Sequence, residues 1–322
     1  MYYRKRISLE VYHALADGAG ALQFLRTLVF HYITIKYKDA FKDKAPVLDI
    51  DASKTQKLDD SFQKYFKEES ILSKKKAVKA YKLRGAKIPE YRFSVIEGVI
   101  PIDEILPKVK EYKASLTIFL AAVLMCAINE EIPARLKRKP VVLSIPVNLR
   151  NYFSSQTARN FYGVINVDYD FSKGTGDLID VIEVLKKKFK DNLTPEVLAR
   201  RINKLASLEH NYFLRVIPLV IKNLALRIAY IIAAKNHTST LSNVGIVNMP
   251  DEIKPYIRSF DVFVSTDKLQ ACLCTYENKL RISFTSAFVS TEIQRRFFRT
   301  LTDMGISVVI ESNMVDEEEE AL

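Results

Sequence analysis

Cysteine is scarce in this chain and poorly placed for cross-linking. Cys126 lies in an apolar stretch of helical character, and Cys272 and Cys274 share one face of a strand. An odd set of three suits a reducing cytoplasm, and a C-x-C pair without further partners is a poor zinc signal. Histidine is nearly as sparse. His31, His210 and His237 show no metal-ligand spacing and read as surface or helix residues, so no metal site is expected. His237 differs in preceding the strand around Ser242, which could place it near a site. No apolar run approaches the roughly 20 residues of a membrane crossing. The longest apolar helical stretch, Tyr212 to Ala234, is interrupted by Arg215, Lys222 and Arg227 and contains Pro218. It reads as a soluble helix with a broad apolar face, with peripheral membrane contact as the lesser reading. The opening MYYRKRISLE lacks the apolar stretch of a secretory leader, and no repeat suggests a solenoid. These absences point to a cytoplasmic protein without a transmembrane span.

What is present suffices for a globular protein: 322 residues with 48% hydrophobic content can bury a sizeable core in one or two domains. Polar–apolar alternation from Arg6 to Val11 predicts a half-buried strand, and Leu22, Leu25, Leu28, Val29, Tyr32 and Ile33 recur at helical spacing. Lys38 to Ser73 reads as a connector with a short helix near Ser61 to Glu68. With its end near Pro89 it sets the expected boundary between segments 1–89 and 90–322. Strands are predicted at Arg92–Ile100, Pro140–Pro146, Tyr162–Tyr169, Ser239–Val247, Ser259–Ser265, Leu269–Tyr276, Leu280–Thr285 and Ile306–Ser312, with a hairpin turn at Glu277-Asn278-Lys279. Helices are predicted at Ile102–Tyr112, Thr117–Ile132, Asp177–Asp191, Pro195–Leu208, Tyr212–Ala234 and Thr291–Met304. Thr117–Ile132 is almost wholly apolar, hence buried. Strands alternating with helices argue for an α/β (α+β) fold, a mixed sheet covered by helices.

The most informative string is His13-Ala-Leu-Ala-Asp17-Gly18, set between the first predicted strand and the first helical pattern. An imidazole titrating near neutrality, held at a strand end, suits general-base work. Gly18 and Gly20 read as residues that permit backbone angles closed to others, and Asp17 as a turn or helix N-cap residue.

YHALADGAGALQFLR resembles the H-x-x-x-D-G signature of the CoA-dependent acyltransferase superfamily, which includes chloramphenicol acetyltransferase, condensation domains of nonribosomal peptide synthesis and alcohol O-acetyltransferases. Three later strings resemble the same group in order: Ser144-Ile-Pro146-Val-Asn148-Leu-Arg150, Asn160-Phe-Tyr-Gly163, and Leu241-Ser242-Asn243-Val-Gly245. The resemblance implies a two-subdomain chloramphenicol acetyltransferase-like fold and a set of roles. His13 would be the general base toward an alcohol or amine attacking an acyl thioester. Asp17 and Arg150 would form a structural ion pair, with Gly18 in the turn. Ser242 or Asn243 would donate to the developing oxyanion, and Asn160, Gly163 and Gly245 would be site neighbours. The co-substrate would be an acyl-CoA or a phosphopantetheinyl carrier protein, with no tightly bound cofactor.

Two departures accompany the resemblance. Tyr12 stands where many members carry a second histidine, and only twelve residues precede His13, so much of the first subdomain has no counterpart. The expectation is a truncated chain or a partner-dependent half whose partner would be a missing N-terminal portion. The formal net charge of +11 persists despite the acidic tail Asp316–Glu320. Lys74, Lys75, Lys76, Lys79, Lys82, Arg84 and Lys87 crowd around Tyr81. Such a run reads as solvated surface, as an attraction for a donor's phosphates, or as a nucleic-acid patch. Acyl transfer is the reading adopted, with no nucleic acid expected. An inactive or partner-dependent half, and a basic surface-binding protein, stand as alternatives.

Overall fold

A computed structural model describes residues 1–42, 46–48, 58–67, 78–89, 92–210, 212, 216–233 and 235–313. Seven strands form one mixed sheet: β3 (Ser94–Pro101), β4 (Val141–Asn148), β5 (Tyr162–Tyr169), β6 (Ser239–Ile246), β7 (Leu269–Tyr276), β8 (Lys279–Ser286) and β9 (Val309–Ser312). Their spatial order is β5-β4-β6-β7-β8-β3-β9. The pairs β4–β6 and β6–β7 are parallel and the remaining neighbours antiparallel. The expected hairpin joins β7 to β8 through Glu277 and Asn278, with Glu277 at φ 51°.

Helices cover one face: α3 (Ile102–Glu111), α4 (Leu116–Glu130), α5 (Leu178–Asn192) and α8 (Glu292–Asp303). The sequence of α4 is apolar all round because the helix is enclosed, with Phe119 to Met125, Ala127 and Ile128 all buried. Ser115 begins it, its hydroxyl accepting from the Ile118 amide at 3.3 Å. Gly98 of β3 lets Phe298 of α8 lie on the sheet, since a Cβ there would fall 2.2 Å from the ring. The edge strand β5 turns Gly163, Ile165, Val167 and Tyr169 inward and its alternate residues outward. Strands β7 and β8 are covered on both faces and buried almost throughout.

The second face carries α1 (Gly18–Lys36), whose Phe30 and Ile33 pack on Val247, Met249, Ile253, Phe260, Cys274 and Tyr276. Burial pushes the Cys272 and Cys274 thiols up to about 12, so both stay protonated at neutral pH. The remaining helices are α2 (Ser61–Lys64), α6 (Pro195–His210) and α7 (Leu219–Ala233). A small cluster of Leu149, Phe161, Leu198 and Ile202 joins α6 to the end of β4. The α/β class and the helix-covered mixed sheet are those the sequence predicts.

Several local expectations are corrected. In place of a strand from Arg6 to Val11, β1 (Tyr2–Tyr3) pairs with β2 (Arg6–Ile7) in a two-stranded hairpin. Met1 and Ser8 exchange both backbone hydrogen bonds, so the hairpin satisfies itself, and Leu9–Val11 form no strand. Ser259–Ser265 is also not a strand. Both edges of β7 are taken by β6 and β8, and the segment meets β8 through the Val264 carbonyl, which accepts from the Thr285 hydroxyl. The helix expected from Tyr212 is interrupted: Tyr212 and Val216 are helical, Ile217 and Pro218 are not, and α7 starts at Leu219, directly after the proline, whose ring cannot continue a helix from the preceding turn. Glu68, Lys74, Lys75, Lys76 and Asp316–Glu320 lie outside the described residues.

Candidate active site

The corner between the N-terminal hairpin and α1 is built around one buried carboxylate. Asp17, 5% exposed, takes extended backbone angles and caps α1, its Oδ1 accepting from the Gly20 amide at 3.0 Å. Its Oδ2 accepts from Arg150 Nη1 and from the Phe161 amide, both at 2.8 Å. Arg150 sits in the single 3-10 turn Leu149–Asn151 after β4. Its other donors reach the Thr157 carbonyl from Nε and Nη2, at 3.0 and 2.9 Å, and the Arg159 carbonyl from Nη2 at 2.7 Å. Asn148 Oδ1 accepts from both the Arg150 amide and Nη1 at 3.1 Å. The guanidinium fork thus ties three segments, the α1 start, the β4 end and the 157–161 loop, with its charge matched and its donors used.

Two glycines act here by close approach, which corrects the expectation that they supply unusual backbone angles; neither has a positive φ. A Cβ on Gly20 would fall 2.0 Å from the Ala158 carbonyl oxygen, and one on Gly18 would fall 3.2 Å from Val244 Cγ1. Gly20→Ala should therefore force α1 away from the 157–161 loop. The expected cost is on the order of 1–3 kcal/mol, the range for overpacking, read as a lower midpoint in denaturant titration. An unchanged midpoint would contradict this packing.

His13 is exposed, in a turn of residues 13–15 closed by the Leu15 amide donating to the Tyr12 carbonyl at 2.8 Å. This corrects its expected place at a strand terminus; the turn is held from outside. Asn160 Nδ2 donates to the His13 and Ala14 carbonyls at 2.9 and 3.2 Å. The imidazole lies against the ring of Tyr162, centroids 5.4 Å apart. Burial raises the Tyr162 phenol above its ordinary pKa, and the negative charge of Asp17 adds to the rise.

The sheet opens beside this corner. Parallel β4 and β6 pair only at Leu143–Ser239 and Ser144–Thr240, after which β4 continues to Asn148 and β6 to Ile246 unpaired with each other. Asn160 and Tyr162 belong to the β4–β5 arm, and Val244, under Gly18, to the β6 arm, so the His13–Gly18 corner spans the divergence. Gly245 adopts φ +85° where β6 loses register with β7, a conformation that favours glycine. Gly163 is buried in β5 in ordinary contact range of Leu149.

Not every expected residue converges. Asn243 Nδ2 donates to Thr117 Oγ1 at 3.0 Å, its Oδ1 accepts from the Gly245 amide at 2.8 Å, and Ser242 is half-buried beside Cys272. Among the described residues no hydrogen bond joins Ser242 or Asn243 to the His13 turn. Tyr162, Asn148 and Thr157 belong to the site but carry no sequence signal beyond lying near Arg150 and Asn160. Tyr81, which the sequence sets among the basic residues, is buried, its amide bonded to the Pro140 carbonyl and its carbonyl to Thr238. Among the described residues no group of three or more His, Cys, Asp or Glu side chains could hold a metal.

This architecture is a fold shared with solved condensation and epimerization domains and with TRI101. The first condensation domain of the CDA synthetase superposes with a TM-score of 0.52 at 16% identity, over 93% of this chain and 65% of that one. The epimerization domain from the third module of tyrocidine synthetase B gives 0.51 at 12% identity, over 91% and 67%. TRI101 of F. sporotrichioides, complexed with coenzyme A and T-2, gives 0.50 at 12% identity, over 92% and 65%. The chain thus spans about two thirds of the length of these solved chains. No protein-family model matches the sequence, and no curated protein does.

Proposed function

We propose that this protein moves an acyl group from a thioester, carried by coenzyme A or a phosphopantetheinyl carrier protein, to a hydroxyl or amine. His13 acts as general base. As the acceptor oxygen or nitrogen attacks the thioester carbonyl, the imidazole takes its proton. When the tetrahedral intermediate collapses, the imidazolium returns that proton to the departing thiolate, so the products are an ester or amide and a free thiol. Asp17 and Arg150 are positioning residues. Ser242 or Asn243, within β6, would be the oxyanion donor, the Asn243 side-chain amide trading the Thr117 hydroxyl for charge that appears only in the transition state.

One observation carries the reading: the D-G half of the motif is locked inward by Arg150 at 2.8 Å, while the histidine half stays exposed where β4 and β6 part. The test follows free thiol release from acyl-CoA donors with and without alcohol and amine acceptors. Asn160→Ala, which frees the His13 turn, should lower kcat by about 10- to 100-fold, the effect of a displaced catalytic group, with the donor KM little changed. Equal kcat in both proteins would remove Asn160 from the mechanism.

A second reading, activity only with a further polypeptide lobe, is favoured by the surroundings of His13. Tyr12 and Leu15 flank it at 76% and 71% exposure, an apolar rim suited to a second wall. Thiol release that needs a separately supplied N-terminal lobe would select it. The third reading, a basic surface-binding protein, rests on the net charge of +11.

A further inference from the structure

Helix α7 leaves its apolar residues exposed. Val220, Ile221, Leu224, Ile228, Ile231 and Ile232 recur at helical spacing along one side, yet each is 47–80% exposed. The sequence reads as a soluble helix with a broad apolar face, and the structure leaves that face exposed. Lys222 is the only half-buried residue among those of α7 whose burial is described. A surface helix of a water-soluble protein turns its apolar stripe to the core and its charges to solvent; here the aliphatic stripe is exposed, as are Leu219 and Leu226 on the side that carries Lys222. Helix α4, of similar length and also apolar, shows how the same chain treats a core helix: it is buried along nearly its whole length. An aliphatic surface of this size on a soluble domain marks a contact site.

We propose that α7 docks the protein onto an anionic lipid surface, lying in the interface with its aliphatic side among the acyl chains. Charge selects this occupant. The helix contains no Asp or Glu, exposed Arg227 flanks its apolar side, and exposed Lys235 follows its end. Lys and Arg beside a shallowly buried apolar face are what anionic headgroups bind. A second copy of the chain fits less well, since facing α7 helices would bring like cations together on molecules of formal net charge +11. The helix lies on the surface and does not cross it. Its 15 residues rise about 22 Å, short of the roughly 30 Å hydrocarbon core, and among the described residues no single helix is long and apolar enough to span. The proposal goes beyond acyl transfer and stands without it.

The test is flotation of the full chain with vesicles of equal parts phosphatidylglycerol and phosphatidylcholine, against vesicles of phosphatidylcholine alone. The anionic vesicles should carry the protein and the zwitterionic ones far less of it. Ile228→Glu, at an exposed position where folding is not at stake, should weaken binding by at least about tenfold. Arg227→Gln and Lys235→Gln should each weaken it by about fivefold, while circular dichroism and thermal melts match the parent. Failure of the parent to float with anionic vesicles, or flotation unaffected by Ile228→Glu, overturns the proposal. So does a concentration-dependent dimer, seen in sedimentation velocity and abolished by Ile228→Glu, because α7 would then serve a second copy.

Discussion

His13→Ala should lower turnover by about 10²- to 10⁴-fold while leaving the fold intact. The magnitude is that of general-base assistance, about 3–5 kcal/mol of barrier. Folding is spared because the ring is exposed and the anchors of its turn use backbone carbonyls: Asn160 holds the oxygens of residues 13 and 14, which alanine retains. Substitutions at such sites usually stay within about 0.5 kcal/mol. The loss should fall on kcat and on kcat/KM together, since the imidazole acts on a proton in flight and not on the bound donor. Thiol release from an acyl-CoA, followed with the parent and the variant at matched thermal midpoints, reads both parameters. Parent-level turnover in His13→Ala would end the base assignment, whatever the fold.

This expectation rests on features the sequence shows unevenly. The apolar identity of α4, the strands β4 and β5, the β7–β8 turn at Glu277–Asn278 and the capping role of Asp17 are local properties, set by periodicity and by one short polar side chain. The pairing of Asp17 with Arg150 could be anticipated only through the resemblance of four ordered strings. Other features depend on what lies alongside. Ser259–Ser265 alternates as a strand would, but an alternating segment needs a free sheet edge, and β7 has none. Gly20 reads as a flexible turn residue until the Ala158 carbonyl is placed against it. Periodicity marked α7 as apolar along one side without saying which way that side would turn. Tyr162 is an ordinary strand residue by sequence, and only the fold sets its ring against His13.

The second large effect concerns the joint beneath the histidine. Arg150→Ala should destabilise the protein by about 3–5 kcal/mol, the cost of leaving one member of a buried pair alone. The Asp17 carboxylate, with its side chain 6% exposed, would keep the Gly20 and Phe161 amides but no cation, and the carbonyls of Thr157 and Arg159 would lose their donor. Asp17→Ala should cost a similar amount, because it strands the guanidinium and removes the α1 cap together. Asp17→Asn, which keeps an oxygen for the cap, should be milder than either. Since the two side chains meet at 2.8 Å, the double variant Asp17→Ala with Arg150→Ala should cost clearly less than the sum of the single changes, with a coupling of about 1–3 kcal/mol. Chemical denaturation of the four proteins closes this cycle, and strictly additive losses would mean that the pair is two independent caps. In the folded fraction of each single variant, kcat should also fall, because the α1 start and the 157–161 loop that carry His13 and Asn160 meet through this pair. The carboxylate is therefore expected to reach the reaction only through position. Asp17→Asn should restore most of the turnover lost in Asp17→Ala, a rescue that a group exchanging protons with substrate would not give.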